Sequence, residues 1–234
     1  MRPPPIAVFD LDGTLADTAP DLIGTLNVIL AREGLPPVAL EDAREIIGAG
    51  ARALVERGFE KGGKELAPAK SDALYRDFLA HYGENLCVES RLFAGAMEAL
   101  DALESNGFRL AVCTNKTEAL SRRLLEGLGA ADRFAAICGR DTFPYFKPDP
   151  RHLTLTIDEA GGDPWRAIMV GDSLTDIATA KAAGIPVVAV TFGYTDRPVR
   201  DLGPDRVIDG YGELPGTVAS IAASWDRDGG RDRD

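Results

Sequence analysis

The chain has 234 residues, of which 45% are hydrophobic and 27% charged, with a formal net charge of −11. That length suits one large domain or a domain carrying a sizeable insertion. The acidic balance argues against nonspecific nucleic-acid binding, which needs a cationic footprint; an anionic ligand would have to be drawn in by local cations. Three cysteines, Cys87, Cys113 and Cys138, lack zinc or redox spacing, which fits a reduced, cytoplasmic setting. The opening residues MRPPP run straight into an apolar segment without the core of a signal peptide, and no run approaches transmembrane length.

In chain order, the first predicted strand is IAVF at residues 6–9. Residues 17–90 then contain no convincing strand. Leu22, Leu26, Ile29 and Leu30 mark one helical face, which Gly34, Pro36 and Pro37 bring to an end. Further helices are predicted over 40–47, 51–59 and 69–82. From residue 93 the pattern changes. Short apolar runs at 110–113, 135–138, 167–170, 187–190 and 206–208 alternate with helices over 95–105, 117–128, 151–160, 174–183 and 214–223. Strands without alternation, separated by helices, predict a parallel sheet covered on both faces. The predicted architecture is α/β: a Rossmann-like parallel-sheet core formed by residues 1–16 and 91–225, with a helical cap inserted at 17–90. The charged, glycine-containing tail at 226–234 is expected to be disordered.

Ligands of open α/β sheets bind beyond the carboxyl ends of the strands. After the first strand come Asp10 and Asp12, in F-D-L-D-G-T-L. Residues i and i+2 of a strand point to one side. Two carboxylates so placed need a cation or a shared proton, which suits a Mg²⁺ site that also does nucleophilic and acid/base work. A solvated turn is the plain alternative. A calcium loop fits poorly, because its positions 5 and 12, counted from Asp10, hold Thr14 and Asp21. After 110–113 come Thr114, Asn115 and Lys116. After 167–170 comes G-D-S-L-T-D, with Asp172 and Asp176. Lys147 lies between them, in F-K-P-D-P. Taken singly, Thr114, Thr117, Asp172 and Ser173 read as helix caps, and Lys147 as a surface lysine. Together they put nucleophile, acid, hydroxyl, ammonium and further carboxylates on one edge of a sheet.

These four elements, in this order, resemble the motifs of the haloacid dehalogenase superfamily of phosphohydrolases, and the resemblance runs from residue 6 to about 214. The segment at 17–90 is similar to the small helical cap that some members carry between the first two motifs. The resemblance implies that Asp10 is the nucleophile, forming an aspartyl-phosphate, and that Asp12 is the general acid and base. It implies a Mg²⁺ held by Asp10, Asp172 and the main-chain carbonyl of Asp12, with Asp176 either binding the ion or supporting a ligand. Thr114, the Asn115 main chain and Lys147 would hold the phosphate. Dehalogenases lack the second aspartate, so Asp12 argues against carbon–halogen cleavage. A phosphonatase needs a lysine early in the cap; the first here is Lys61, in a K-G-G-K stretch read as a loop.

Local strings in the cap (I-G-A-G-A at 47–51) and core (C-T-N-K at 113–116, G-R-D-T at 139–142, V-T-F-G-Y at 190–194) resemble phosphatases of 2-phosphoglycolate. The expected partner is therefore a small phosphorylated metabolite, with no nucleic acid or membrane, and the protein a monomer or homodimer. A turn at Gly48–Gly50 and the helix start at Arg52 are expected to reach the substrate carboxylate, against the alternative that Arg52 is solvated. Hydrolysis of a sugar phosphate or pyrophosphate, phosphomutase activity, and non-catalytic phospho-ligand binding are the competing readings. His81 and His152 are expected at the surface or in capping roles, and Trp165 in packing.

Overall fold

The structure, a computed structural model, describes residues 2–42, 46–47, 50–195 and 197–228. Strand β1 (Ile6–Phe9) is hydrogen-bonded on both sides and fully buried. Around it, β4 (Arg109–Cys113), β5 (Ala136–Cys138), β6 (Ala167–Gly171), β7 (Val187–Val190) and β8 (Arg206–Ile208) complete a six-stranded sheet in the order β5-β4-β1-β6-β7-β8. All its pairings are parallel.

Because side chains alternate across a strand, each strand feeds two cores. Ala7, Phe9, Leu110, Val112, Ile168 and Val170 face one core; Ile6, Val8, Ala111, Cys113, Ala167 and Met169 face the other. The first face is covered by α4 (Ala96–Ser105), α5 (Glu118–Gly127) and α8 (Leu214–Asp228), through residues such as Leu100, Leu124 and Val218. The second is covered by α6 (Pro150–Glu159) and α7 (Leu174–Ala182), through Leu153, Ile157, Ile177 and Ala180. Burial on both faces explains why the strands read as unbroken apolar runs.

Between β1 and β4 the chain forms α1 (Ala19–Arg32), a 3₁₀ turn at Leu40–Asp42, α2 (Ala51–Lys61) and α3 (Pro68–Glu84). Leu22, Leu26, Ile29 and Leu30 of α1 meet Leu54 and Phe59 of α2 and Phe78 of α3 in a core continuous with the first face of the sheet. At Gly58 a side chain would overlap Leu26, so the absence of one lets α1 and α2 approach closely.

Four expectations change. Two short strands, β2 (Ala16–Asp17) and β3 (Arg91–Leu92), pair antiparallel where linkers were expected, so the chain entering the helical segment runs beside the chain leaving it. Of the helix expected over 40–47, Leu40–Asp42 form a 3₁₀ turn with Leu40 half exposed, while Ile46 and Ile47 are helical and buried; residues 43–45 lie outside the described residues. Lys61 ends α2 instead of lying in a loop, and it pairs with Asp42. Helix α8 continues to Asp228, into the stretch expected to be disordered, because Trp225 packs near Phe108 with ring centroids 6.1 Å apart.

Two side chains also sit elsewhere than expected. His152 is fully buried, and burial together with the Lys147 charge pulls its pKa down to about 4. Trp165 is 76% exposed. No helix among the described residues is long and apolar enough to cross a membrane.

The two paired connections are tied by Asp21, at the start of α1. Its carboxylate accepts the backbone N–H groups of Val88, Glu89 and Ser90 (3.1, 2.9 and 2.9 Å) and the Ser90 hydroxyl at 2.6 Å. Hydrogen bonds to a charged acceptor are worth about 1.5–3 kcal/mol each, and buried donors left unpaired are costly. Asp21→Ala is therefore expected to cost about 3 kcal/mol, read as a lower urea midpoint. Asp21→Asn, which keeps one acceptor, should fall between the two.

Candidate active site

The carboxyl ends of β1, β4 and β6 open into one cavity of about 360 Å³, roofed by α2 and α3. Asp10 continues β1, its N–H bonded to Val170 O at 2.9 Å. The chain then turns at Gly13, whose φ of 80° lies in the left-handed region that favours glycine. Asp10, Asp12, Thr114, Asn115, Lys147 and Asp172 all line the cavity, as do Gly50 and Arg52. Gly48 lies outside the described residues.

Lys147 is buried, its Nζ 2.9 Å from Asp10 Oδ1 and 2.5 Å from Asp176 Oδ1. Burial alone would lower its pKa; the charges of Asp10 and Asp176 outweigh that and raise it, so the ammonium persists. Asn115 Nδ2 donates to the Lys147 carbonyl at 3.0 Å, fixing the lysine loop against the end of β4. Thr114 is buried, and its Oγ1 accepts the Lys116 N–H at 3.3 Å, which leaves the hydroxyl proton for a ligand.

Asp172 is held at both oxygens. Thr14 Oγ1 donates to Oδ1 at 3.0 Å and the Tyr194 N–H to Oδ2 at 2.6 Å. Asp176 is occupied more heavily. Oδ1 takes Lys147, while Oδ2 accepts from Asp172 N, Ser173 N and Ser173 Oγ at 3.2, 3.1 and 2.6 Å. Ser173 in turn caps α7, so the capping expectation holds for it, in a reciprocal box with Asp176. Both Asp176 oxygens are thus engaged, one by Lys147 and the other by Ser173 and the Asp172 backbone.

Asp10, Asp172 and Asp176 place carboxylate oxygens within 4.8 Å of one another, all buried. Among the described residues, the Lys147 ammonium pairs with two of these three carboxylates, Asp10 and Asp176. Burial, then neighbouring charge, pushes the Asp10 carboxyl up to about 6 and raises Asp172 well above the usual range, which is the signature of an under-compensated cluster. Asp10 Oδ1 is buried and accepts no aligned hydrogen bond among the described residues. A divalent cation with a preference for oxygen donors fits this donor set: it would offset the charge that Lys147 leaves uncompensated.

Four contributors were missed by reading the sequence as separate motifs. Thr14 lies in the first motif and buttresses Asp172. Tyr194 ends the V-T-F-G-Y string; its hydroxyl accepts the N–H groups of Thr18 and Ala19 (2.7 and 2.8 Å) and donates to Asp17 at 2.5 Å, while its own N–H holds Asp172. One residue thus ties the linker to the carboxylate cluster. Lys116 Nζ lies 2.8 and 3.0 Å from the two Asp12 oxygens and 2.9 Å from the hydroxyl of Tyr82, on α3. The position of Lys116 directly after Thr114 and Asn115, at the end of β4, was the available signal.

Tyr194 sits against Asp172 because Gly193 has no side chain: a methyl there would overlap the Asp172 side chain and the Gly13 carbonyl oxygen. Gly193→Ala should displace Asp172. If Asp172 holds a divalent cation, a tenfold or greater rise is expected in the Mg²⁺ concentration needed for half-activation, in line with losses seen when groups supporting a metal ligand are disturbed. Unchanged half-activation would place the ion away from Asp172.

A sequence profile of the haloacid dehalogenase-like hydrolases matches residues 7–190. The phosphoglycolate phosphatase of Mesorhizobium japonicum is 54% identical over 210 residues, 90% of this chain and 92% of that protein. The N-acetylmuramic acid 6-phosphate phosphatase of Pseudomonas aeruginosa is 37% identical over 88% of this chain and 91% of its own length. Among solved structures, that of a predicted phosphoglycolate phosphatase from Haemophilus somnus superposes with a TM-score of 0.83 at 34% identity, covering 91% of this chain and 96% of that one. With its parallel sheet, helical insertion and strand-end carboxylates, the chain belongs to the haloacid dehalogenase-like hydrolases.

Proposed function

We propose that the protein is a Mg²⁺-dependent phosphomonoester hydrolase acting on 2-phosphoglycolate through an aspartyl-phosphate at Asp10. The observation that carries the mechanism is the buried cluster of Asp10, Asp172 and Asp176 around the single ammonium of Lys147, with Asp12 two residues from Asp10. Mg²⁺, held by Asp10, Asp172 and the Asp12 carbonyl, would supply charge neutralisation at the phosphoryl oxygens. Asp10 attacks phosphorus and the ester bond breaks, the leaving oxygen taking a proton from Asp12; water, giving a proton back to Asp12, then attacks the same phosphorus, the bond from Asp10 to phosphorus breaks and inorganic phosphate leaves. Lys147, the Thr114 hydroxyl and the Asn115 main chain hold phosphoryl oxygens and offset the charge that develops on them. Asp176 keeps Lys147 aimed at Asp10. The helical segment at 17–90 acts as the cap over this site, with paired β2 and β3 as its hinge.

The substrate reading draws on the 54% identical relative and on the polar floor of a cavity closed by α2 and α3. A larger sugar phosphate is the second reading: about 360 Å³ exceeds what a two-carbon acid fills, and one relative at 37% identity is named for N-acetylmuramic acid 6-phosphate. The test is kcat/KM with Mg²⁺ across 2-phosphoglycolate, pyrophosphate, N-acetylmuramic acid 6-phosphate and several sugar phosphates. A hundredfold preference for 2-phosphoglycolate, about 2.7 kcal/mol of transition-state discrimination, carries the specific assignment. A peak on a sugar phosphate keeps the chemistry and replaces the substrate. A phosphomutase would instead return phosphorylated isomers, and a binding protein would release no phosphate.

A further inference from the structure

Among the described residues, four cations line the cavity: Lys147, Lys116, Arg52 and Arg140. Lys147, beside Asp10, is the phosphoryl partner in the reading above. Arg52, expected to meet the substrate carboxylate, is drawn off on the cap: it pairs with Asp72 at 2.8 Å, donates to Ser71 at 3.1 Å, and lies 4.6 Å from the Tyr75 ring centroid. Its side chain is 45% exposed. Arg140 stacks on Phe146, 4.1 Å from the ring centroid.

Lys116 differs from these. Its side chain is only 6% exposed, and its ammonium sits between both Asp12 oxygens and the Tyr82 hydroxyl. Asp12 is the group placed to meet the ester oxygen of the leaving group. In a phosphorylated 2-hydroxy acid, two bonds separate that oxygen from the carboxyl carbon. A carboxylate on that short arm therefore arrives beside Lys116 Nζ. An ammonium carries three protons, so it can turn from Asp12 towards a second carboxylate without leaving its place. Tyr82, which accepts from Lys116, has its own hydroxyl proton for the second carboxylate oxygen.

We propose that Lys116, with Tyr82, is the subsite that selects a leaving group carrying a carboxylate next to its ester carbon. The inference rests on the phosphatase reading above and names the group by which that site chooses its substrate. Because Tyr82 belongs to the cap helix α3 and Lys116 to the β4 loop, the subsite is complete only when the two are packed together. A site built to bind a charged group rejects the analogue that lacks it, since its own polar groups are then left unpaired.

The test compares kcat/KM for 2-phosphoglycolate with that for 2-hydroxyethyl phosphate, in which a hydroxymethyl group replaces the carboxylate, under saturating Mg²⁺. In the wild-type protein the acid is expected to be favoured by about a hundredfold or more. Lys116→Met should collapse that ratio at least thirtyfold, and Lys116→Arg should restore part of it. A residue that only positions Asp12 would lower both substrates by one factor; an unchanged ratio in Lys116→Met, or a ratio lost in Arg52→Ala instead, overturns the assignment. If Lys116→Met does not fold, Tyr82→Phe keeps the ring and carries the same test: a ratio reduced severalfold bears the proposal out, and an unchanged one overturns it. A wild-type ratio near one overturns the substrate reading itself, a result separable from any variant.

Discussion

Asp10→Asn is expected to abolish turnover, lowering kcat by at least about 10⁴-fold, the order lost when an enzymatic nucleophile is removed. The substitution keeps the shape of the side chain and removes its charge. An amide oxygen attacks phosphorus poorly, and Thr114, Lys147 and Asp12 remain in place to bind substrate. KM should therefore change far less than kcat. Stability should hold as well, because Lys147 keeps its 2.5 Å contact with Asp176 and the buried cluster loses one of its mutually repelling carboxylates. Steady-state kinetics and a thermal melt of the same preparation check both halves. Residual activity within tenfold of wild type would move the nucleophile away from Asp10.

Lys147→Met tests the same cluster from the opposite side. Removing the ammonium leaves Asp10, Asp172 and Asp176 buried within 4.8 Å of one another without a cation. Breaking a buried pair on one side costs about 3–5 kcal/mol. For a chain of this size that corresponds to a Tm lower by about 10 °C. In chelator the loss should be full. If the folded cluster holds Mg²⁺ as proposed, part of it should return with the ion, which adds its own charge there. Activity should fall about 10³-fold even when Mg²⁺ is saturating, since a phosphoryl-oxygen partner is gone. A melt indistinguishable from wild type in chelator would mean that the three carboxylates are not jointly ionised in the folded protein.

The two variants separate chemistry from charge balance. One removes an attacking oxygen and leaves the fold; the other removes the ammonium that pairs with Asp10 and Asp176 and perturbs both. The distinction follows from where each group sits. Asp10 is at a strand end, facing the cavity, with one oxygen free of aligned hydrogen bonds. Lys147 is sealed between Asp10 and Asp176.

The sheet was readable because its strands are short, apolar and separated by helices whose buried residues repeat at helical spacing. β1, β7 and β8 fall on the expected residues. The strand-end residues were readable for the same reason: once the sheet is parallel, its carboxyl edge names the turns to inspect. What escaped was contact across the fold. Lys116 and Asp12 are 104 residues apart, and Tyr194 and Asp17 are 177 apart, so no local pattern links them. Arg52 lines the cavity, as its place at a helix start suggested, while its pairing with Asp72, on the next helix, was out of view. His152 shows the limit of polarity as a guide: an isolated histidine read as exposed lies fully buried against Phe143. Trp165 shows the converse, a large aromatic left in solvent.

The central claim is that phosphate passes through Asp10, and chemical trapping tests it most directly. The protein would be quenched in acid during turnover of 2-phosphoglycolate with Mg²⁺ and reduced with borohydride, which converts an aspartyl-phosphate to homoserine. Peptide mass spectrometry would then locate the change. The account predicts homoserine at position 10, present with substrate and Mg²⁺ and absent when either is withheld. Turnover with unmodified Asp10, or with the mark on another residue, would contradict it.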